Sequence, residues 1–259
     1  MDSTPLIAAA AVVFGAQWLA FVPAYAARTE RFYDLVGAMS WIGATVTALV
    51  LSGATGRAIL LSVMVVAWAG RLGHFLVRRI HRDGGDGRFD TIKTKPVRFF
   101  FTWTLQGVWI TVTGSAAALA MAANDAGQLG WTGALGAGIW LGGFTIEVAA
   151  DRQKRMHRRD HPGKFITSGL WAWSRHPNYF GEVTLWCGVS LVAVGGLGDL
   201  WWAALVSPLF VAALLTQVSG IPMLERRGQE RWGDDPAYQR YVENTPVLVP
   251  RPPRSASRG

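Results

Sequence analysis

One cysteine, Cys187, stands in the whole 259-residue chain. It forms no intrachain disulfide, and a metal site built on several thiolates is excluded. Charge is scarce as well. Asp, Glu, Lys and Arg make up 16% of the residues, where a soluble domain carries about a quarter. No basic run precedes the first apolar stretch, so Pro5 to Ala27 reads as a retained helix rather than a cleaved leader. No internal repeat is found, which argues against a transporter built from paired repeats. A dinucleotide-binding glycine fingerprint after a strand is also missing. The glycine-rich loop Asp83–Asp90, with Asp86 and Arg88, reads instead as a capped turn.

Apolar residues are abundant: 51% of the chain, with 13 Trp. They fall into blocks of about 20 residues, the length that crosses a bilayer. Seven spans are expected, near 5–27, 33–54, 58–78, 97–123, 130–150, 179–196 and 200–221. The fold class is therefore all-α: a polytopic membrane protein with seven transmembrane helices, built as one unit. Pro23 is expected to kink or end the first span.

The charge balance is +8, and its placement favours membrane orientation over nucleic-acid binding. Basic residues crowd the segments 78–98 and 152–175 and the stretch after 221. None occurs in 124–129 or 196–199, and Arg57 stands alone after the second span. Every loop fits one alternation, with the N-terminus outside and the C-terminus cytoplasmic. Residues 251–259, rich in Pro, Arg and Ser, read as a disordered tail.

Polar chemistry concentrates in Ser174-Arg175-His176-Pro177-Asn178-Tyr179-Phe180-Gly181-Glu182, just before an apolar run. So many polar groups at a membrane face are costly unless they bind something. Arg175 can pair with phosphate, Asn178 can read an amide, and Glu182 can accept from a hydroxyl. Asp151, Lys154 and Arg158 leave the fifth span on one helical face. With Trp171 and Trp173 as a floor, they complete a basic pocket for a large anionic cofactor. Positive-inside orientation accounts for part of that basic charge, and an interfacial aromatic belt for Trp. On the third span Trp68, Arg71 and His74 share a face; Arg71 lies deep enough to need an interior partner. Tyr33-Asp34 opens the second span. Asp34 is either a helix cap or an acid facing an inner cavity. Gln106 and Glu147 read as interhelical hydrogen-bonding groups, and Gly133 to Gly143 as close helix packing. The stretch Glu225–Tyr241 reads as an amphipathic helix able to cover a pocket.

These residues resemble the membrane steroid 5-alpha-reductase family, in particular its bacterial DUF1295-type branch. The likeness runs from Tyr33 to Pro250. It is sharpest in Gly169-Leu170-Trp171 followed by Trp173 to Glu182, and weaker in Trp68 with Arg71-Leu72-Gly73 and in Trp103 with Gln106-Gly107. The resemblance implies NADPH as cofactor and reduction of a carbon–carbon double bond conjugated to a ketone. It gives Asp151, Arg158, Arg175, Asn178 and Glu182 to the cofactor, with Arg71 near its phosphates. Lys154, Trp173, His176 and Tyr179 join them from the pocket described above. Animal members grip the steroid ketone with a Gln-Glu pair, and Tyr33-Asp34 stands at the comparable place. A family Tyr on the third helix is matched by Trp68, expected to contact substrate. The division implied is 1–96 for substrate and 97–250 for cofactor. The substrate is a lipid-soluble small molecule reached from the membrane lipids, and the location is the bacterial inner membrane with the cofactor side cytoplasmic. The oligomeric state stays open, a monomer included. The competing reading is an S-adenosylmethionine-dependent methyltransferase of the isoprenylcysteine carboxyl methyltransferase type, which carries a related Arg-His-Pro segment.

Overall fold

A computed structural model describes residues 2–83, 87–123 and 128–253. The described residues are 79% helical, with no strand among them. Ten α-helices occur in them: α1 (Thr4–Ala26), α2 (Tyr33–Leu51), α3 (Gly56–Asp83), α4 (Pro96–Thr113), α5 (Ser115–Ala123), α6 (Gly130–Asp160), α7 (Pro177–Val194), α8 (Val206–Ala213), α9 (Ile221–Trp232) and α10 (Pro236–Asn244). Proline begins α4, α7 and α10, where its missing N–H costs nothing. Pro23 sits in the last turn of α1, which ends three residues later at Ala26. Gly84–Asp86 of the glycine-rich loop lie outside the described residues.

Among the described residues, five helical stretches are long and apolar enough to cross a membrane, or six if the bent pair α4 and α5 is one span. Seven were expected. The shortfall lies in α7, whose opening turns carry Asn178, Tyr179 and Glu182 and dilute its apolar length. The expected span 97–123 is bent by 53° between Thr113 and Ser115, at a Gly-Ser pair of the kind that interrupts helices. The expected span 200–221 is not one regular helix either. A 3₁₀ stretch (Gly198–Leu205) leads into α8, and a π turn (Leu214–Val218) follows it. Pro208 and Pro222 each lack an N–H there.

The chain packs as two compact units: Met1–Ala137 with Val189–Ser207, and Gly138–Gly188 with Pro208–Gly259. The division puts α4 and α5 with α1 to α3. In the first unit α1 packs on α2 and α4, and α2 packs on α3. Phe99, Trp103 and Phe89 form a buried aromatic cluster near the α1–α2 turn. An ion pair between Lys93 and buried Glu30, 3.0 Å long, ties the segment before α4 to that turn. Arg57, expected in an outer loop, is buried instead; it donates to Val192 O at 2.7 Å and to Gln128 O at 3.1 Å. It thus satisfies one carbonyl in the last turn of α7 and one just before α6.

In the second unit α6 and α7 approach at Gly143 and Gly181. A Cβ on Gly181 would lie 2.6 Å from Gly143 O and 2.7 Å from Glu147 N. Both neighbours are backbone and cannot give way. Alanine is the better helix former by about 1 kcal/mol, but overpacking a fixed contact costs about 1–3 kcal/mol. Gly181→Ala is therefore expected to destabilise the protein, read as a lower thermal unfolding midpoint in detergent. A raised midpoint would contradict this close approach.

Candidate functional site

The motif Ser174–Glu182 forms a corner and the first turns of α7 in the second unit. Residues 245–251 strap the corner. Arg175 N–H donates to Pro246 O at 2.9 Å, and Arg251 N–H donates to Trp173 O at 3.0 Å. Ser174 Oγ donates to Leu248 O at 2.8 Å and accepts from the His176 N–H at 3.1 Å. The Tyr241 hydroxyl on α10 donates to Trp171 O at 2.8 Å. Burial pushes that phenol's pKa up, so it stays a donor. Arg251, placed in the expected disordered tail, is thus bonded to the corner. Phe165 packs against Trp232, Tyr238 and Tyr241, which seats the C-terminal helices on the loop before the motif.

Glu225 of α9 engages two neighbouring motif side chains at once. One carboxylate oxygen pairs with the Arg175 guanidinium. The other lies 2.6 Å from His176 Nε2. Burial lowers the His176 pKa below its ordinary value, and the nearby carboxylate only partly opposes this. The imidazole is therefore neutral, with Nε2–H donating to Glu225 and Nδ1 left as an acceptor. Among the described residues, His176 Nδ1 and Arg175 Nε are buried without hydrogen-bond partners. The Tyr179 ring stacks on His176 with centroids 5.7 Å apart.

Lys154 holds its ammonium 4.5 Å from the centre of the Trp171 ring. The Trp171 indole N–H donates to Ala150 O at 3.1 Å, and Gln153 Oε1 accepts from Leu170 N–H at 2.9 Å. These contacts fix the loop against α6, on the helix that also carries Asp151 and Arg158. Trp171 is buried, whereas Trp173 is exposed. Asn178 and Glu182 stand one turn apart on α7. Nine of the expected cofactor residues (Asp151, Lys154, Arg158, Trp173, Arg175, His176, Asn178, Tyr179 and Glu182) thus belong to this unit.

Arg71 belongs to the first unit, with its guanidinium 5.5 Å from the centre of the Phe75 ring. Tyr33 is wedged between Phe89 and Trp103, each ring 5.0 Å away, and its hydroxyl donates to Thr102 O at 3.1 Å. Asp34 lines a small cavity of about 40 Å³ together with Gly37, Gln106 and Trp109. Gln106 is buried and its Oε1 has no hydrogen-bond partner among the described residues. A larger apolar cavity of about 200 Å³ lies among α1 to α5. Trp68 lines neither cavity. It is fully buried and packs edge-on against Trp41, which lines both. Trp41, Glu225 and Gln153 carry contacts that sequence reasoning did not assign. No local signal in the sequence set Glu225 apart from Glu230, Asp234 and Asp235 in the same stretch.

A family model described as protein of unknown function (DUF1295) matches residues 20–245. No curated protein and no solved structure matches the chain. The chain belongs to the DUF1295 family, which includes steroid 5-alpha-reductase-like proteins.

A depressed histidine pKa has a definite sign in the stability. The unfolded chain takes up a proton near pH 6.5, while folded His176 does so only at lower pH. Stability is then full above about pH 6.5 and falls as pH drops from there toward the folded pKa. Thermal unfolding between pH 7.5 and 5.5 (roughly one unit either side of the free value) should show this decline, and His176→Gln should flatten it. An unchanged slope in that variant would refute the buried neutral imidazole.

Proposed function

We propose that this member of the DUF1295 family is an integral membrane oxidoreductase. It reduces the C=C bond of a conjugated enone in a steroid or another lipid, with NADPH as reductant. In this reading the bent pair α4–α5 and α7 each count as spans, which gives seven crossings of the bacterial inner membrane. The N-terminus lies outside and the motif lies on the cytoplasmic side.

One observation carries the cofactor assignment. Arg175 Nε and His176 Nδ1 are buried in one strapped corner without partners among the described residues. Such groups are costly unless a ligand completes them. Arg175 Nε needs an acceptor, and His176 Nδ1 needs a donor. A dinucleotide offers both, in its phosphate oxygens and its ribose hydroxyls. Lys154 and Arg158 add cationic charge for the diphosphate. Asp151 and Glu182 suit ribose hydroxyls, and Asn178 suits a carboxamide. The choice of NADPH over NADH rests on the family resemblance.

Bound nicotinamide supplies a hydride for the carbon β to the substrate carbonyl. The protein's part is to polarise the carbonyl oxygen as negative charge develops on it. We assign this part to Asp34, which lines a cavity with Gln106; the Tyr33 hydroxyl donates to Thr102 O. In its protonated form Asp34 donates a hydrogen bond to that oxygen, and the apolar surroundings strengthen the bond. Trp41 rather than Trp68 is the indole that faces a ligand there.

Titration of the purified protein with NADPH, followed by thermal shift, tests the cofactor. Asn178→Ala and Glu182→Ala should each weaken binding about tenfold, the loss of one good hydrogen bond, with folded protein retained. Wild-type affinity in both variants overturns the site. Stabilisation by S-adenosylmethionine alone would favour a methyltransferase. Asp34→Asn should lower enone turnover about a hundredfold, the scale of a lost general acid; undiminished turnover rules it out as the essential acid.

A further inference from the structure

The larger and the smaller cavity described above share one side chain. Among the described residues Trp41 is the only one common to both linings. It is nearly fully buried, and its ring is held edge-on by Trp68 at 5.2 Å and by Trp109 at 6.4 Å. On one side of it stand Asp34 and Gln106. On the other side the lining is almost entirely apolar, with Ala9, Ala44, Ala48 and Ala118 supplying much of the wall. Small side chains on several helices leave the space that larger ones would fill. An apolar cavity of this size stays dry and accepts apolar guests.

The smaller cavity is different in kind. Gln106 is 7% exposed, and its Oε1 has no partner among the described residues. Gly37 makes room for this amide: a Cβ there would come 2.6 Å from Gln106 Nε2. Asp34, Gly37 and Trp41 recur at helical spacing on one face of α2. A polar lock and an apolar chamber thus lie on either side of a single indole.

We infer that the larger cavity receives the hydrocarbon part of a lipid ligand whose one polar group sits at Asp34 and Gln106, and that Trp41 sets the chain length admitted between them. The ligand class is an elongated amphiphile with a single uncharged oxygen function at one end. The inference rests on the reading of Asp34 as a substrate-facing group. It adds a residue that selects substrates by length.

Chemical labelling of the chamber tests this without cofactor or turnover. An Ala44→Cys, Cys187→Ser protein in lipid nanodiscs is treated with ethyl, hexyl and dodecyl methanethiosulfonate, and labelling rates are read by intact mass. With Trp41 in place the dodecyl reagent should react about tenfold or more slowly than the ethyl reagent, the scale on which an apolar pocket discriminates by methylene content. Trp41→Ala should abolish that difference. Trp41→Phe and Trp41→Leu, each checked by thermal unfolding, carry the test if the alanine protein does not fold. Equal rates with Trp41 intact mean that the chamber opens to the bilayer, and they overturn the inference. So does a length limit that survives when Trp41 is shortened. NADPH titration of the same proteins reports separately on the reductase reading, so the two can fail independently.

Discussion

The carboxylate of Glu225 holds the corner of the second unit together. It reaches two adjacent motif residues, the Arg175 guanidinium and the His176 imidazole. Without it a mostly buried guanidinium would face a low-dielectric interior with no counter-charge, one of the costliest arrangements a fold can contain. The same Arg175 is pinned through its backbone to Pro246. α9 and the terminal strap therefore converge on one residue, and the geometry of the corner follows from both.

Neutrality of His176 is the second consequence. Its partner is an acid, which by itself favours the imidazolium, yet burial is the larger effect. The Glu225 charge is then balanced by Arg175 rather than shared equally. A neutral ring can donate at one nitrogen and accept at the other. His176 spends its donor on Glu225 and keeps an acceptor turned inward. A protonated histidine could not present that second face, so protein packing selects the chemistry offered to a ligand.

Local pattern carried much of this architecture. Length and apolarity gave α1 and α2 within a few residues of their ends, and the starts of α3 and α6; α3 and α6 run on past the apolar stretch into their basic residues, α6 as far as Asp160. The bend at Gly114 and the broken helix after Gly198 were hidden, since composition does not distinguish a regular helix from one interrupted by 3₁₀ and π turns. The motif itself stood out through its density of polar groups. Its partners did not: Glu225 lies 50 residues away in sequence, and nothing local links it to Arg175. Arg57 was legible only as a single cation in the loop after the second span. Only the packing around it reveals the carbonyls it serves. Trp68 and Trp41 are both tryptophans near helix centres, and spacing alone could not tell the one that lines a cavity from the one that backs it.

The charge pattern of the second unit bears on what it can bind. A pocket for inorganic polyphosphate would be expected to present cations with few acids among them, since each acid offsets the field. Here the cations are interleaved with acids: Asp151 stands near Lys154 and Arg158 on α6, Glu182 follows Asn178 on α7, and Glu225 occupies one side of Arg175. Lys154 is drawn onto the Trp171 ring, which directs its charge along a specific line. Such a surface fits a ligand that alternates anionic and hydroxylic groups along its length. A dinucleotide has that alternation, with a diphosphate between two riboses. S-adenosylmethionine offers one ribose, a carboxylate and a sulfonium, and lacks the diphosphate.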